Sequence, residues 1–177
     1  MRLSSIHEAL SLSRARYHAQ RGQSFGIITA WRSENNRATN NKRNQELLTD
    51  IKSLGLTATR VHGGYVEQTN DGPVHVHENS FFVFGHGISD AALYQHLLRL
   101  TRKYNQDSAL FKPAEDFQDI PADQAALIHN DSGNTNNVGK LTPNNKESPY
   151  YTDIKGGSGK RQNSRSPAKF SFMDPKT

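Results

Sequence analysis

The stretch from Val74 to Gly85, VHVHENSFFVFG, constrains the fold more than any other part of the chain. It contains a strongly apolar run, Phe81 to Phe84, directly after two histidines and a glutamate. Read with the two-residue period of a β-strand, the apolar residues of this run fall on both faces. A strand that is apolar on both faces is covered on both sides. We therefore predict a central strand whose polar first half lies at an opening of the sheet.

Three helices are indicated by apolar residues at helical spacing. They are expected over residues 6–20, from about Asn44 to Gly55, and from an N-capping Ser89 to about Tyr104. The polar segment 32–44, which contains five asparagines and four basic residues, is predicted to be a long exposed loop that runs into the second helix.

Three further strands are indicated by β-branched and aromatic residues over 24–31, 57–68 and 107–111. A turn at 70–73 joins the second of them to the central strand as a hairpin. The glycines at positions 63 and 64 predict a bulge or a close backbone approach in this hairpin.

The resulting order is a helix followed by β-α-β-β-α-β, which is the ferredoxin-like split arrangement of the α+β class. It predicts two helices on one face of a four-stranded, mainly antiparallel sheet, with an extra N-terminal helix. Residues 124–129 are expected to add one more strand or helix. We place a single domain over residues 1–128 and an extended, largely irregular basic tail over 129–177, because the tail is polar and its apolar residues are isolated.

Charge is distributed unevenly around the net value of +5. Residues 1–60 carry ten Lys/Arg against four Asp/Glu, residues 61–128 carry four against nine, and residues 129–177 carry eight against four. The basic ends indicate where a polyanion would bind. The absence of cysteine excludes disulfides, thiol catalysis and thiolate metal sites.

Several short motifs resemble an uncharacterised bacterial and phage domain family. They are IITAW, the asparagines that follow it, the Gly-Gly strand, ENSFFV and YNQDS. The resemblance covers roughly residues 25–111 and implies no activity. It marks a set of candidates for one shared site: Thr29, Trp31, Asn44, Glu78, Ser80 and Gln106. Separately, IHEA at positions 6–9 resembles the site at which phage prohead proteases trim packaged proteins.

His75 and His77 lie on one face of the central strand, roughly 6.5–7 Å apart along it. Both could bind one divalent metal, with His62 or His86 as a third ligand. This pair also resembles the HUH nucleases, which use a tyrosine on a following helix, here Tyr94 or Tyr104. Exposed histidines and packed tyrosines explain the same residues without chemistry, so the metal site is kept as an alternative.

Glu78 shares a strand face with apolar residues, where an unpaired carboxylate would be costly. It is therefore expected either to be paired, with Arg60, Arg32 or the Thr29 hydroxyl as the partner, or to serve in ligand binding or acid–base chemistry.

Trp31 lies beside a basic loop and offers an aromatic platform for nucleic acid. The predicted binding residues are Trp31, Arg32, Arg37, Lys42 and Arg43. No phosphate-binding glycine loop and no RNA-recognition motif accompanies them.

From these features we expect a non-enzymatic phage or bacterial accessory protein that binds nucleic acid or a host or virion protein. No cofactor is expected, no membrane segment is found, and the protein is placed in the host cytoplasm or inside a virion. The alternative is a metal-dependent enzyme acting on nucleic acid or nucleotides around His75, His77 and Glu78, with Tyr94 or Tyr104 assisting catalysis.

Overall fold

A computed structural model describes the backbone of residues 21–69, 72–143, 150–154 and 168–173, and the side chains of 21–62, 72 and 79–140. The predicted N-terminal helix and the IHEA motif lie outside these residues. Within them the chain has mixed α/β structure, with two helices and eight strands. Neither helix has the length and apolar composition that crossing a membrane would require.

The two helices are α1 (Arg37–Ser53) and α2 (Asp90–Lys103). Asn36 caps α1 by accepting a hydrogen bond from Thr39 N at 2.9 Å. Ser89 caps α2 as predicted, by accepting from Ala92 N at 3.2 Å. Because α1 begins at Arg37, it starts seven residues before Asn44, the position expected from its apolar periodicity.

The strands form a closed barrel in the order β1-β3-β2-β7-β8-β6-β5-β4, with every described pair antiparallel. Their bounds are β1 (Phe25–Ile28), β2 (Thr57–Thr69), β3 (Gly72–Phe84), β4 (Ser108–Lys112), β5 (Gln124–His129), β6 (Thr135–Pro143), β7 (Tyr150–Ile154) and β8 (Ala168–Met173). The prediction of a four-stranded sheet is wrong. The ferredoxin-like arrangement is not confirmed as such, because the first four strands continue into four more.

The predicted β2–β3 hairpin is confirmed, since pairing runs from Thr57↔Phe84 to Thr69↔Gly72. Positions 70 and 71 of the predicted turn lie outside the described residues. The predicted bulge is absent from it, because the register does not shift at Gly63 and Gly64. These glycines instead pair with β3 on one side and with Thr152 and Tyr151 of β7 on the other.

The core lies in two clusters on opposite faces of the sheet. Phe81 and Val83 pack with residues of both helices on the outer face. Phe82 and Phe84 pack inside the barrel, where Phe25 stacks on Phe82 with ring centroids 4.5 Å apart. All four residues of the FFVF run are at most 2% exposed, which confirms that β3 is covered on both faces.

The segment after β4 is held by an unusual buried cation. Lys112 Nζ donates to the carbonyls of Pro113 and Ala122, each at 2.7 Å, and the residue is only 4% exposed. Burial lowers the pKa of Lys112, because the charged form loses its hydration. The ammonium thus closes the loop that leads from β4 to β5.

Candidate functional site

The sheet opens immediately beyond the last pairing of β1 with β3, which is Ile28↔Phe81. Asn79 lies on β3 two residues before Phe81. Its carbonyl accepts hydrogen bonds from two side chains instead of from β1, Thr29 Oγ1 at 2.9 Å and Asn44 Nδ2 at 3.0 Å. Side-chain donors here take the place of a strand ladder. The two strands separate at this point, and a cleft opens between α1 and the sheet.

Two buried asparagines of α1 hold the loop that leaves β1. Asn44 Oδ1 accepts from Ala30 N at 2.9 Å. Asn40 makes paired bonds to the Arg32 backbone, accepting from its N at 2.9 Å and donating to its O at 2.8 Å. Asn40 and Asn44 are 0% and 7% exposed, so their amides need these partners. Together they fix the path of the chain beside the cleft.

Arg43 ties the same loop to the end of α2. Its Nε donates to the carbonyl of Ala30 at 2.8 Å, and its Nη2 donates to the carbonyl of Tyr104 at 2.5 Å. Gln106 Nε2 reaches that Tyr104 carbonyl at 3.3 Å. Arg32 also donates to the carbonyl of Asn105 and to the Glu34 carboxylate. Both arginines thus have structural partners beside the cleft.

The cleft has a volume of about 420 Å³ and lies between α1, β2 and β3. The buried part of its lining contains both polar and apolar side chains. The exposed rim contains amide side chains, a histidine and an arginine. The buried residues are Asn44, Val61, Ser80 and Phe81, and the rim residues are Asn41, Gln45, Arg60, His62 and Asn79. Arg60 Nη2 donates to Gln45 Oε1 across the rim at 3.3 Å.

A second cavity of about 390 Å³ lies where α1 meets the end of α2. Asp50 accepts there from Lys103 Nζ and from the Tyr104 hydroxyl, both at 2.6 Å. These hydrogen bonds lower the pKa of Asp50, whereas burial and the Asp50 carboxylate raise the pKa of Tyr104. The network joins the two helices and is separate from the cleft lined by Arg60.

The sequence model of the S-Adenosylmethionine lyase family matches residues 26–159. This match covers most of the chain. The chain belongs to the S-adenosylmethionine lyase family. No curated protein sequence matches it significantly. The match runs from β1 through β7, so it includes every residue that lines the cleft and crosses the predicted boundary at residue 128.

Membership of the lyase family corrects the expected function. The family is described by an enzymatic activity, so the expected non-enzymatic accessory protein that binds nucleic acid or a virion protein is wrong. The expectation that the resembled family lacks an assigned activity is likewise not confirmed. Three segments that were assigned to the tail from sequence, 135–143, 150–154 and 168–173, form β6, β7 and β8 of the barrel.

The residues predicted to share one site are partly brought together. Thr29, Asn44 and Ser80 meet at the opening of the sheet. Trp31 N donates to Thr29 Oγ1 at 3.0 Å. The side chain of Glu78 lies outside the described residues, although its backbone pairs with Gly63 directly beside the cleft-lining Asn79.

The residues predicted to bind a polyanion differ in exposure and in their hydrogen-bond partners. Arg37 and Lys42 are exposed on α1, Trp31 is half-buried, and Arg32 and Arg43 donate to backbone carbonyls. The geometry therefore gives the two arginines a local structural role.

The histidine metal site stays a prediction, because the side chains of His75 and His77 lie outside the described residues. Among the residues that are described, no group of three His, Asp or Glu could hold a metal ion. His86 is exposed after β3, with its ring 6.3 Å from that of Phe84. Of the tyrosines proposed as alternative catalytic groups, Tyr94 donates to the Gly133 carbonyl at 2.5 Å and Tyr104 to Asp50.

Sequence reasoning missed four polar residues that line the cleft, which are Asn41, Gln45, Arg60 and Asn79. It also missed the role of Asn40 in holding the loop beside the cleft. Asn40 and Asn44 are four positions apart and so share a helix face. That spacing is visible in the sequence. A search for apolar residues at helical spacing does not detect it, because asparagine is polar.

Proposed function

We propose that this chain cleaves S-adenosylmethionine at a carbon–sulfur bond of its sulfonium, in the cleft between α1, β2 and β3. The family match over residues 26–159 carries the proposal. A lyase breaks a bond without water or an oxidant. A sulfonium suits such chemistry, because the departing sulfur takes the bonding electron pair and becomes a neutral thioether.

Two balanced routes need no further reagent, and both release 5′-methylthioadenosine. In the first, a base removes a proton from the β-carbon of the amino-acid part, and the Cγ–S electron pair leaves with sulfur to give an unsaturated amino acid. In the second, the substrate's own carboxylate attacks Cγ, and the other product is a lactone. Both routes are favoured where the protein excludes water from the reacting charges.

The cleft offers the size and polarity that this substrate needs. Its volume of about 420 Å³ lies within the range of roughly 300–1,000 Å³ typical of small-molecule sites. The side-chain amides of Asn41 and Gln45 provide donors and acceptors for adenine and ribose. We also propose that Glu78, whose backbone pairs with Gly63 near the opening of the sheet, supplies the carboxylate that attracts the sulfonium cation.

Incubation of the purified chain with S-adenosylmethionine tests the proposal. We expect 5′-methylthioadenosine to form well above the rate in buffer alone, and mass spectrometry of the four-carbon product identifies the route. The matched variant Glu78→Gln keeps the size of the side chain but removes its charge, and it should weaken substrate binding. A rate equal to that in buffer would overturn the proposal.

A further inference from the structure

The rim of the cleft carries one arginine whose present partner is weak. Arg60 is exposed on β2, opposite Phe81 in the strand register, and its Nη2 lies 3.3 Å from the neutral Gln45 oxygen. A neutral amide at this distance is a poor partner for a guanidinium. Among the residues whose side chains the structure describes, this is the one hydrogen bond of the Arg60 side chain, so its other donors are available for a ligand that enters the cleft.

The described lining of the cleft contains no carboxylate that would compete for this cation. Its other members are amides, a histidine, a serine and apolar side chains. Arg43 precedes the cleft-lining Asn44 on α1, but it does not line the cleft itself. Its Nε and Nη2 donate to the carbonyls of Ala30 and Tyr104. Arg60 is thus the one arginine or lysine in the described cleft lining.

We propose that Arg60 binds the α-carboxylate of the substrate's amino-acid end and thereby sets the orientation of the substrate in the cleft. This inference rests on the proposed lyase function. Guanidinium and carboxylate form paired, charge-assisted hydrogen bonds in a fixed plane. With the carboxylate at Arg60, the sulfonium lies further into the cleft, away from the guanidinium, since like charges repel.

Binding of three unreactive ligands to Arg60→Met tests this assignment. S-adenosylhomocysteine carries the carboxylate but no sulfonium, its decarboxylated analogue retains the amine alone, and 5′-methylthioadenosine lacks the whole amino-acid part. In calorimetric titrations of the full chain, we expect Arg60→Met to weaken S-adenosylhomocysteine about 10-fold to 100-fold, the range for a hydrogen bond to a charged group. The other two ligands should change by less than about 2-fold.

Lys42→Met is the matched control, because it removes an exposed positive charge from α1 outside the cleft lining. It should leave all three affinities unchanged, whereas Arg60→Lys should restore part of the lost affinity. Equal weakening of all three ligands by Arg60→Met would overturn the assignment. If the wild-type chain cleaves S-adenosylmethionine but Arg60→Met binds S-adenosylhomocysteine normally, the inference alone fails. If the wild-type chain neither binds nor cleaves, both proposals fail.

Discussion

Asn44 is the residue that joins the most parts of the candidate site. It lies on α1, accepts from Ala30 after β1, donates to Asn79 on β3, and lines the cleft. A single buried amide therefore satisfies two backbone groups that the sheet leaves unpaired where its strands separate. Asn44 was already a candidate site residue from the motifs in the sequence. Its role in joining β1 to β3 was not predicted.

Replacing Asn44 by alanine is expected to lower the free energy of unfolding by about 1–3 kcal/mol, because the buried Ala30 N–H loses its partner. The carbonyl of Asn79 keeps the Thr29 hydroxyl. Urea unfolding measures the change, with Asn41→Ala as the control. Asn41 is exposed on the same helix and should change stability by no more than about 0.5 kcal/mol. Equal effects of the two substitutions would contradict the bridging role.

Asp50 makes the stability of the chain depend on acid pH. Its pKa is lowered in the folded state by hydrogen bonds from Lys103 and Tyr104. A lowered folded pKa means that the stabilisation is complete above the unfolded pKa of about 3.9 and is lost as the pH falls through the folded pKa. The side chain is 26% exposed, so solvent moderates the effect.

Thermal unfolding of wild type and Asp50→Asn between pH 2 and pH 7 tests this pH dependence. Wild type should be the more stable protein at neutral pH, and the difference should shrink below about pH 4, since protonation removes the same charge that the substitution removes. A difference that stays constant across this range would show that the charge of Asp50 does not matter.

At the scale of elements, α1 shows why a polar sequence can still form a buried helix. Its first half buries Asn40 and Asn44, and the apolar positions Leu47 and Ile51 follow on the same face. Each buried amide hydrogen-bonds to the loop after β1, so tertiary contacts compensate for polarity on the buried face. Periodicity detects only the apolar second half, which explains the late predicted start.

The contact between β1 and α2 depends on a glycine. A Cβ built on Gly26 would lie 2.4 Å from Leu97 Cδ1 and 3.1 Å from the Leu110 carbonyl. Leu97 is 0% exposed, so it has little space to move. The helix therefore approaches β1 only because position 26 has no side chain.

We expect Gly26→Ala to destabilise the fold by about 1–3 kcal/mol through overpacking. Chemical denaturation measures the effect. The double variant Gly26→Ala/Leu97→Ala serves as the control, because the new methyl group enters space that the shortened Leu97 leaves empty. Its loss of stability should be smaller than the sum of the two single losses. Strict additivity would argue that these two positions do not touch.

At the scale of the whole molecule, β6, β7 and β8 close the barrel between β5 and β2. They come from the part of the chain with the most polar composition, yet β7 pairs with His62, Gly63, Gly64 and Tyr65 next to the cleft. Strand β2 would be an unpaired edge along this stretch without β7. Closure of the barrel thus supports the same hairpin that carries Arg60.

Truncation after residue 129 is expected to prevent folding, because it removes three strands and exposes the edges of β2 and β5. Circular dichroism and size-exclusion chromatography of the truncated chain measure the loss. Truncation after Met173, where β8 ends, is the control and should leave the fold intact. A truncated 1–129 chain that unfolds cooperatively would show that the last strands are dispensable.

The amino-acid sequence was sufficient to predict the order of helices and strands from β1 to β4, the end of α1 just before Gly55, the Ser89 cap of α2 and the burial of the FFVF run. These depend on neighbouring residues, whose periodicity and turn chemistry are visible locally. Three features became visible only in the folded chain: the burial of Asn40 and Asn44 on one helix face, the opening of the sheet at Asn79, and the closure of the barrel by β6 to β8. Each of these depends on hydrogen bonds between segments far apart in the chain, whose formation is governed by the packing of the whole molecule.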